Sequence, residues 1–154
     1  MGDETVITDK IRNQIGKDIS SVVWDIEKGA IRKLAEAIGD PNPLWQDEEY
    51  AKKTKYGGII APPTFLWSLR NEEAVIWAND PDLSPVKRFF HGGTDFELYK
   101  PVRPGDRITV TDRLADAFER EGKSGKMLTM IDETIFTNQD GEVVARAINT
   151  LIRR

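Results

Sequence analysis

Four segments in the second half of the chain, residues 89–99, 107–118, 127–137 and 143–152, are rich in Thr, Val, Ile and Phe and are separated by glycine-containing turns. β-Branched and aromatic side chains suit a pleated, half-buried surface, so each segment reads as a strand. The breaks fall at Pro101 and Pro104-Gly105-Asp106, at Glu121-Gly122-Lys123-Ser124-Gly125, and at Asn138-Gln139-Asp140-Gly141. Breaks this short join neighbouring strands in opposite directions, which predicts an antiparallel meander.

The first half has a helical period instead. Ala30, Ile31, Leu34, Ala35 and Ile38 recur on one face, with Asp25 as the expected cap and Gly39 as the exit. Asp40-Pro41-Asn42-Pro43 cannot continue that helix, because proline lacks an amide hydrogen and pushes its predecessor toward extended geometry. A short helical piece is expected over 47–53. After Ala61-Pro62-Pro63, the residues Phe65, Leu66, Leu69, Val75 and Ile76 predict the main helix over 64–78, with the prolines at its start. Helices followed by antiparallel strands give an α+β domain in which the long helix covers one sheet face. The expectation is a single domain over 1–154, with 1–14 a loosely ordered N-terminal segment.

Composition narrows the function. The 154 residues carry a formal net charge of -4, and the basic residues are scattered, which speaks against a nucleic-acid surface. With no cysteine and a single histidine, thiol chemistry and a histidine-rich metal site are excluded within one chain. No apolar run approaches the roughly 18 residues of a membrane span, and residues 1–10 lack the apolar core of a signal peptide. A cytoplasmic protein without membrane or nucleic-acid partners is expected.

Three stretches in order, 38–47 (Ile-Gly-Asp-Pro-Asn-Pro-Leu-Trp-Gln-Asp), 56–65 (Tyr-Gly-Gly-Ile-Ile-Ala-Pro-Pro-Thr-Phe) and 99–106 (Tyr-Lys-Pro-Val-Arg-Pro-Gly-Asp), resemble the MaoC-like (R)-specific enoyl-thioester hydratase/dehydratase family. The resemblance is to its branch of FAS1-like dehydratase N-terminal domains. It implies a hot-dog fold, an antiparallel sheet wrapped around a long central helix, with paired domains placing an acyl-thioester site at their interface. In active members an aspartate and, five residues later, a histidine hold the water that adds to the enoyl thioester. Asp40 matches the aspartate, but Trp45 stands at the histidine position, and an indole nitrogen donates without accepting a proton. The helix-start amide that binds the thioester carbonyl in active members aligns with Pro62 and Pro63, which have no amide hydrogen.

Each of these residues also has a structural role open to it. Asp40 and Asn42 suit bracing of the proline turn, Trp45 suits core packing or contact with the acyl chain, and Pro62 and Pro63 suit fixing the helix entry. His91 is the remaining base, with Gly92 and Gly93 after it suited to a pantetheine arm or a bulge. The candidate catalytic residues are thus Asp40 and His91. The candidate substrate-binding residues are Asn42, Trp45, Ala61, Pro62, Pro63, Thr64, Phe65, Gly92 and Gly93. The resemblance implies a hydratase subunit that lacks the motif histidine and pairs with a catalytic MaoC-like partner. Its substrate is a CoA or acyl-carrier-protein thioester, with no metal or other cofactor. Two alternatives stay open: a self-sufficient homodimeric hydratase or thioesterase using Asp40 and His91, and a non-enzymatic acyl-thioester-binding protein.

Overall fold

The computed structural model describes residues 5–69, 71–123 and 125–154. Five strands form one antiparallel sheet in the order β1-β3-β4-β5-β2, where β1 is Lys17–Asp25, β2 Phe89–Leu98, β3 Arg107–Gly122, β4 Gly125–Thr137 and β5 Val143–Arg153. The last four strands lie where the residue pattern put them. β1, an edge strand paired with β3, was not anticipated. Its residues are mostly exposed, and Ile19 is an extra residue between the Asp18–Arg113 and Ser20–Asp112 pairs. A bulge of that kind shifts the two-residue period midway and hides a strand from pattern reading.

Helix α1 (Asp9–Gln14) is capped by the Thr8 side chain and buries Ile11. Val6 and Ile11 pack with Leu83, Leu114, Leu128 and Met130. Residues 5–14 are therefore anchored in a core, in contrast to the loose segment expected, while residues 1–4 lie outside the described ones. Helix α2 (Lys28–Ala37) has Glu27 at its N-cap rather than Asp25, which ends β1. It leaves through Gly39 at φ 68, where the amide of Asp40 reaches back to the Ala35 carbonyl at 2.9 Å. A left-handed exit of this kind favours glycine. Helix α3 (Glu48–Lys52) is capped by Asp47, close to the helical piece expected there.

The single main helix expected over 64–78 is replaced by two pieces, a 3-10 helix at Pro63–Ser68 and helix α4 at Glu72–Asn79. Leu69 (φ -81, ψ 86) leaves the helical region and Asn71 (φ -103, ψ 99) is extended. The Ser20 hydroxyl of β1 donates to Asn71 Oδ1 at 2.8 Å, tying this break to the sheet. The larger core holds Ile31 and Ala35 of α2, Phe65 and Leu66, and Ile108 and Phe136 of the sheet. Among the described residues no helix is long and apolar enough to cross a membrane.

Candidate functional site

The turn at residues 40–45 is closed by its own polar groups. Asp40 Oδ1 accepts from the Asn42 amide at 3.0 Å, and Asp40 Oδ2 accepts from the Trp45 indole nitrogen at 2.8 Å. Asn42 Oδ1 accepts from the Leu44 amide at 3.0 Å and so caps the short 3-10 turn Pro43–Trp45. Trp45 is only 8% exposed. Both carboxylate oxygens of Asp40 are thus held by donors of the same turn, and the indole N–H has no lone pair with which to take a proton.

Beside this turn lies a cavity of about 240 Å³ lined by Trp45, Tyr56, Ala61, Pro62, Pro63 and Tyr99, among others. Its walls bring the three sequence stretches together. The Ala61 amide donates to the Val102 carbonyl at 2.8 Å, and the Gly105 amide donates to the Ile26 carbonyl at 2.8 Å. Pro62 is the N-cap of the Pro63–Ser68 turn, so the first residue there with an amide hydrogen is Thr64. Of the other residues expected at a substrate, Thr64 is exposed, Phe65 is in the core, and neither lines this cavity.

His91 lies elsewhere, as the third residue of β2, beside Trp67 with ring centroids 6.4 Å apart. It borders a second cavity, of about 250 Å³, between α4 and the inner face of the sheet. Leu66 lines both cavities, but Asp40 and His91 share neither. Gly92 is the extra residue of a bulge between His91 and Gly93, and a Cβ there would meet the Thr150 carbonyl oxygen at 3.0 Å. Close packing against β5 therefore explains glycine at 92, whereas a Cβ at Gly93 would meet open space.

The second cavity exposes a group of residues that the sequence reading passed over. Across the inner face of the sheet runs a polar row, one register step after another: Ser20 opposite Asp112, Asp112 opposite Thr134, Asp132 opposite Asn149, and Asn149 opposite Thr94. The hydrogen bonds have a direction. The Thr94 hydroxyl donates to Asn149 Oδ1 at 2.8 Å, Asn149 Nδ2 donates to Thr134 Oγ1 at 3.3 Å, and the Thr134 hydroxyl donates to Asp112 Oδ1 at 2.6 Å. Because the Thr94 hydrogen is committed to Asn149, His91 Nε2, 2.9 Å from Thr94 Oγ1, must carry a hydrogen and donate it. A file of donors thus runs from the exposed His91 ring to a buried carboxylate.

Burial raises the Asp112 carboxyl above its ordinary range, against the pull of the Thr134 hydroxyl and the Asn71 amide. Asp132 is pushed up to about 7, first by burial and then by the Asp112 charge, with Asn149 opposing. Asp112 accepts from the Thr134 hydroxyl at 2.6 Å and Asp132 from Asn149 Nδ2 at 3.4 Å, so the shorter bond favours the charge on Asp112. The missed signal lay in the alternation. In β3 Ile108, Val110 and Leu114 face inward with Asp112 among them, and in β4 Leu128, Met130 and Phe136 flank Asp132 and Thr134.

Residues 13–147 match the family model described as the FAS1-like, dehydratase domain region. A UPF0336 protein of Streptomyces avermitilis is 35% identical over 132 residues, which cover 85% of each chain. A MaoC-like dehydratase from Rhodospirillum rubrum superposes with a TM-score of 0.66 at 27% identity, over 91% of this chain and 93% of that one. The HadBC (3R-hydroxyacyl-ACP dehydratase) complex from Mycobacterium tuberculosis supplies a chain of the same fold, with a TM-score of 0.68 at 24% identity over 90% of this chain and 99% of that one. With its β1-β3-β4-β5-β2 sheet and its helical segments, this chain is an α+β hot-dog protein and belongs to the FAS1-like dehydratase-region family of MaoC-like proteins.

Proposed function

We propose that this chain is the substrate-binding half of an enoyl-thioester hydratase/dehydratase, acting with a catalytic MaoC-like partner. The observation that carries the reading is the 2.8 Å bond from the Trp45 indole to Asp40 Oδ2. The aspartate that in active relatives would hold the attacking water is engaged here by a group that can only donate. Two prolines stand where a carbonyl-polarising amide would be needed, which removes a second element of the chemistry. The cavity bounded by Trp45, Ala61, Pro62 and Pro63 remains, and its apolar lining suits an acyl thioester.

In the reaction proposed, water adds its hydroxyl to C3 and a proton to C2 of a 2-enoyl thioester carried on CoA or acyl-carrier protein. The partner supplies the aspartate and histidine, and this chain supplies part of the pocket wall. The addition moves no electrons to an external acceptor and so calls for no redox cofactor. That HadBC is itself a complex of two kinds of chain supports a partnered arrangement. The self-sufficient alternative is weakened within one chain because His91 borders the cavity under α4, whereas Asp40 lines neither cavity.

The test is crotonyl-CoA hydration by the purified chain, alone and co-expressed with a MaoC-like protein that carries the aspartate and histidine of the motif. Alone, the chain should be inactive, and the complex should turn over. A rate of roughly 1–1,000 per second from the chain alone, ordinary for an enzyme, would overturn the proposal.

A further inference from the structure

Ile60 and Val102 line the Trp45 cavity, whereas their chain neighbours Ile59 and Arg103 line a third one, of about 310 Å³. Lys28 of α2 and Lys52 of α3 add cations to its wall. Lys28 is paired with Glu48, and Lys52 with Glu49 at 3.0 Å. Arg103 differs: among the described residues its guanidinium has no hydrogen bond, ion pair or ring contact. The acid nearest it in the turn, Asp106, is already engaged. Asp106 Oδ2 accepts from the Arg103 backbone amide at 2.7 Å, and Oδ1 accepts from Gln139 Nε2 at 3.2 Å. The acids outside the described residues are Asp3 and Glu4, and Thr5, which follows them, is bonded to Glu119 near the far end of β3. Arg103 Nη1 lies 3.9 Å from where a Cβ on Gly58 would stand, and Gly58 lines the same cavity.

The backbone beside Arg103 adds further donors. The Gly57 amide donates to the Thr54 carbonyl at 3.0 Å, and the Ala61 amide to the Val102 carbonyl. Between them, the amides of Gly58 and Ile59 have no acceptor among the described residues, and both residues line the cavity. Ile59 is only 7% exposed. An amide at a buried residue forfeits its bonds to water, so one left without a partner is rare. A guanidinium, two ammonium groups and two amides are all donors, and such a set calls for an anion rich in acceptors. A carboxylate brings two oxygens and one charge. A phosphate monoester brings three terminal oxygens and about 1.5 to 2 charges at neutral pH, enough to meet the guanidinium fork and the amides together.

We infer that this cavity binds the phosphate monoester of a phosphorylated ligand, held by the Arg103 guanidinium and the Gly58 and Ile59 amides, with Lys28 and Lys52 adding positive charge. The inference concerns binding alone and does not rest on the hydratase reading. Two sources carry this chemistry: the phosphorylated nucleotide end of CoA, and a small phosphorylated metabolite.

Binding is to be measured on the full chain by amide NMR titration at constant ionic strength, with adenosine 3′,5′-bisphosphate, glycerol phosphate, adenosine and acetate as probes. At least one phosphorylated probe should bind saturably and move the Gly58 and Ile59 amide protons downfield, while adenosine and acetate should not. Tighter binding of the bisphosphate assigns the site to the CoA nucleotide, and tighter binding of glycerol phosphate assigns it to a small metabolite. Arg103→Ala should weaken binding by about tenfold or more, the usual effect of losing a bond between charged groups. Lys17→Ala, which removes the same charge at the start of β1 and outside the cavity, should leave it unchanged. Should Arg103→Ala fail to fold, Gly58→Glu provides the second variant. Its side chain has ordinary room beside Arg103 Nη1, and its carboxylate should abolish binding by occupying the guanidinium. Absence of saturable binding by either phosphorylated probe, equal affinity for adenosine or acetate, or an equal loss from Lys17→Ala would each overturn the inference.

Discussion

At the scale of single residues, Asp40 and Asp132 form a contrast that their identity alone does not show. Asp40 has both oxygens occupied by donors of its own turn, whereas Asp132 is buried with one oxygen free and is pushed up to about 7. Trp45→Phe should remove one charge-assisted bond and cost roughly 1–3 kcal/mol in urea unfolding. Asp40→Ala should cost more, since the Asn42 amide also loses its partner. If Asp40→Ala unfolds at the wild-type midpoint, the bracing role fails. For Asp132 the sign follows from a folded value above the 3.8 of the free group. Its contribution to stability is complete below about pH 3.8 and is lost as the pH rises through about 7, a change of at most about 4 kcal/mol. Asp132→Asn cannot ionise, so its urea midpoint should exceed that of the wild type by a margin that widens from pH 4 to pH 8. A margin independent of pH would count against a buried, titrating Asp132.

At the scale of elements, the β2 bulge and the split helix carry the second cavity. Ala in place of Gly92 would set a Cβ 3.0 Å from the Thr150 carbonyl oxygen and 3.1 Å from Ile152 Cδ1. Gly92→Ala should therefore destabilise by about 1–3 kcal/mol, while Gly93→Ala, facing open space, should be nearly neutral in thermal unfolding. Equal effects at the two positions would remove the bulge as the explanation. The break at Leu69 and Asn71 has a physical cause in Asn71, whose side chain is bonded to Ser20 of β1 and whose backbone is extended. The apolar spacing at 64–78 suggested one continuous helix because Val75 and Ile76 fit the period, yet both are exposed in α4. Periodicity records which residues are apolar, and a helix boundary also depends on what a polar residue finds across the chain.

For the whole molecule, β1 and β2 are the two edges of the sheet, and β2 leaves Phe90 and Leu98 exposed, with Tyr99 just beyond it. An unpaired edge with apolar side chains favours association, so sedimentation should show this chain paired with itself or with a relative. Only monomer, with and without a MaoC-like partner, would contradict that. In the reconstituted complex, Asp40→Asn and His91→Ala should lower turnover only modestly, and loss of the partner's motif histidine should lower it by about 100-fold to 10,000-fold. A folded His91→Ala complex that binds substrate normally yet loses about 1,000-fold would make this chain the catalytic one.

By itself the sequence determined four of the five strands, the α2 exit at Gly39, the proline turns and the absence of a base at Trp45, because each depends on local spacing or on the chemistry of one side chain. Only the tertiary structure decided that Asp40 is bonded to Trp45, that His91 borders a different cavity, and that Asp112, Thr134, Asp132, Asn149 and Thr94 form one row across the sheet. Apart from Asp132 and Thr134, two positions apart in β4, those residues stand on different strands, separated by many positions along the chain. Antiparallel register sets them opposite one another, and register is fixed by pairing between strands, which no local pattern records.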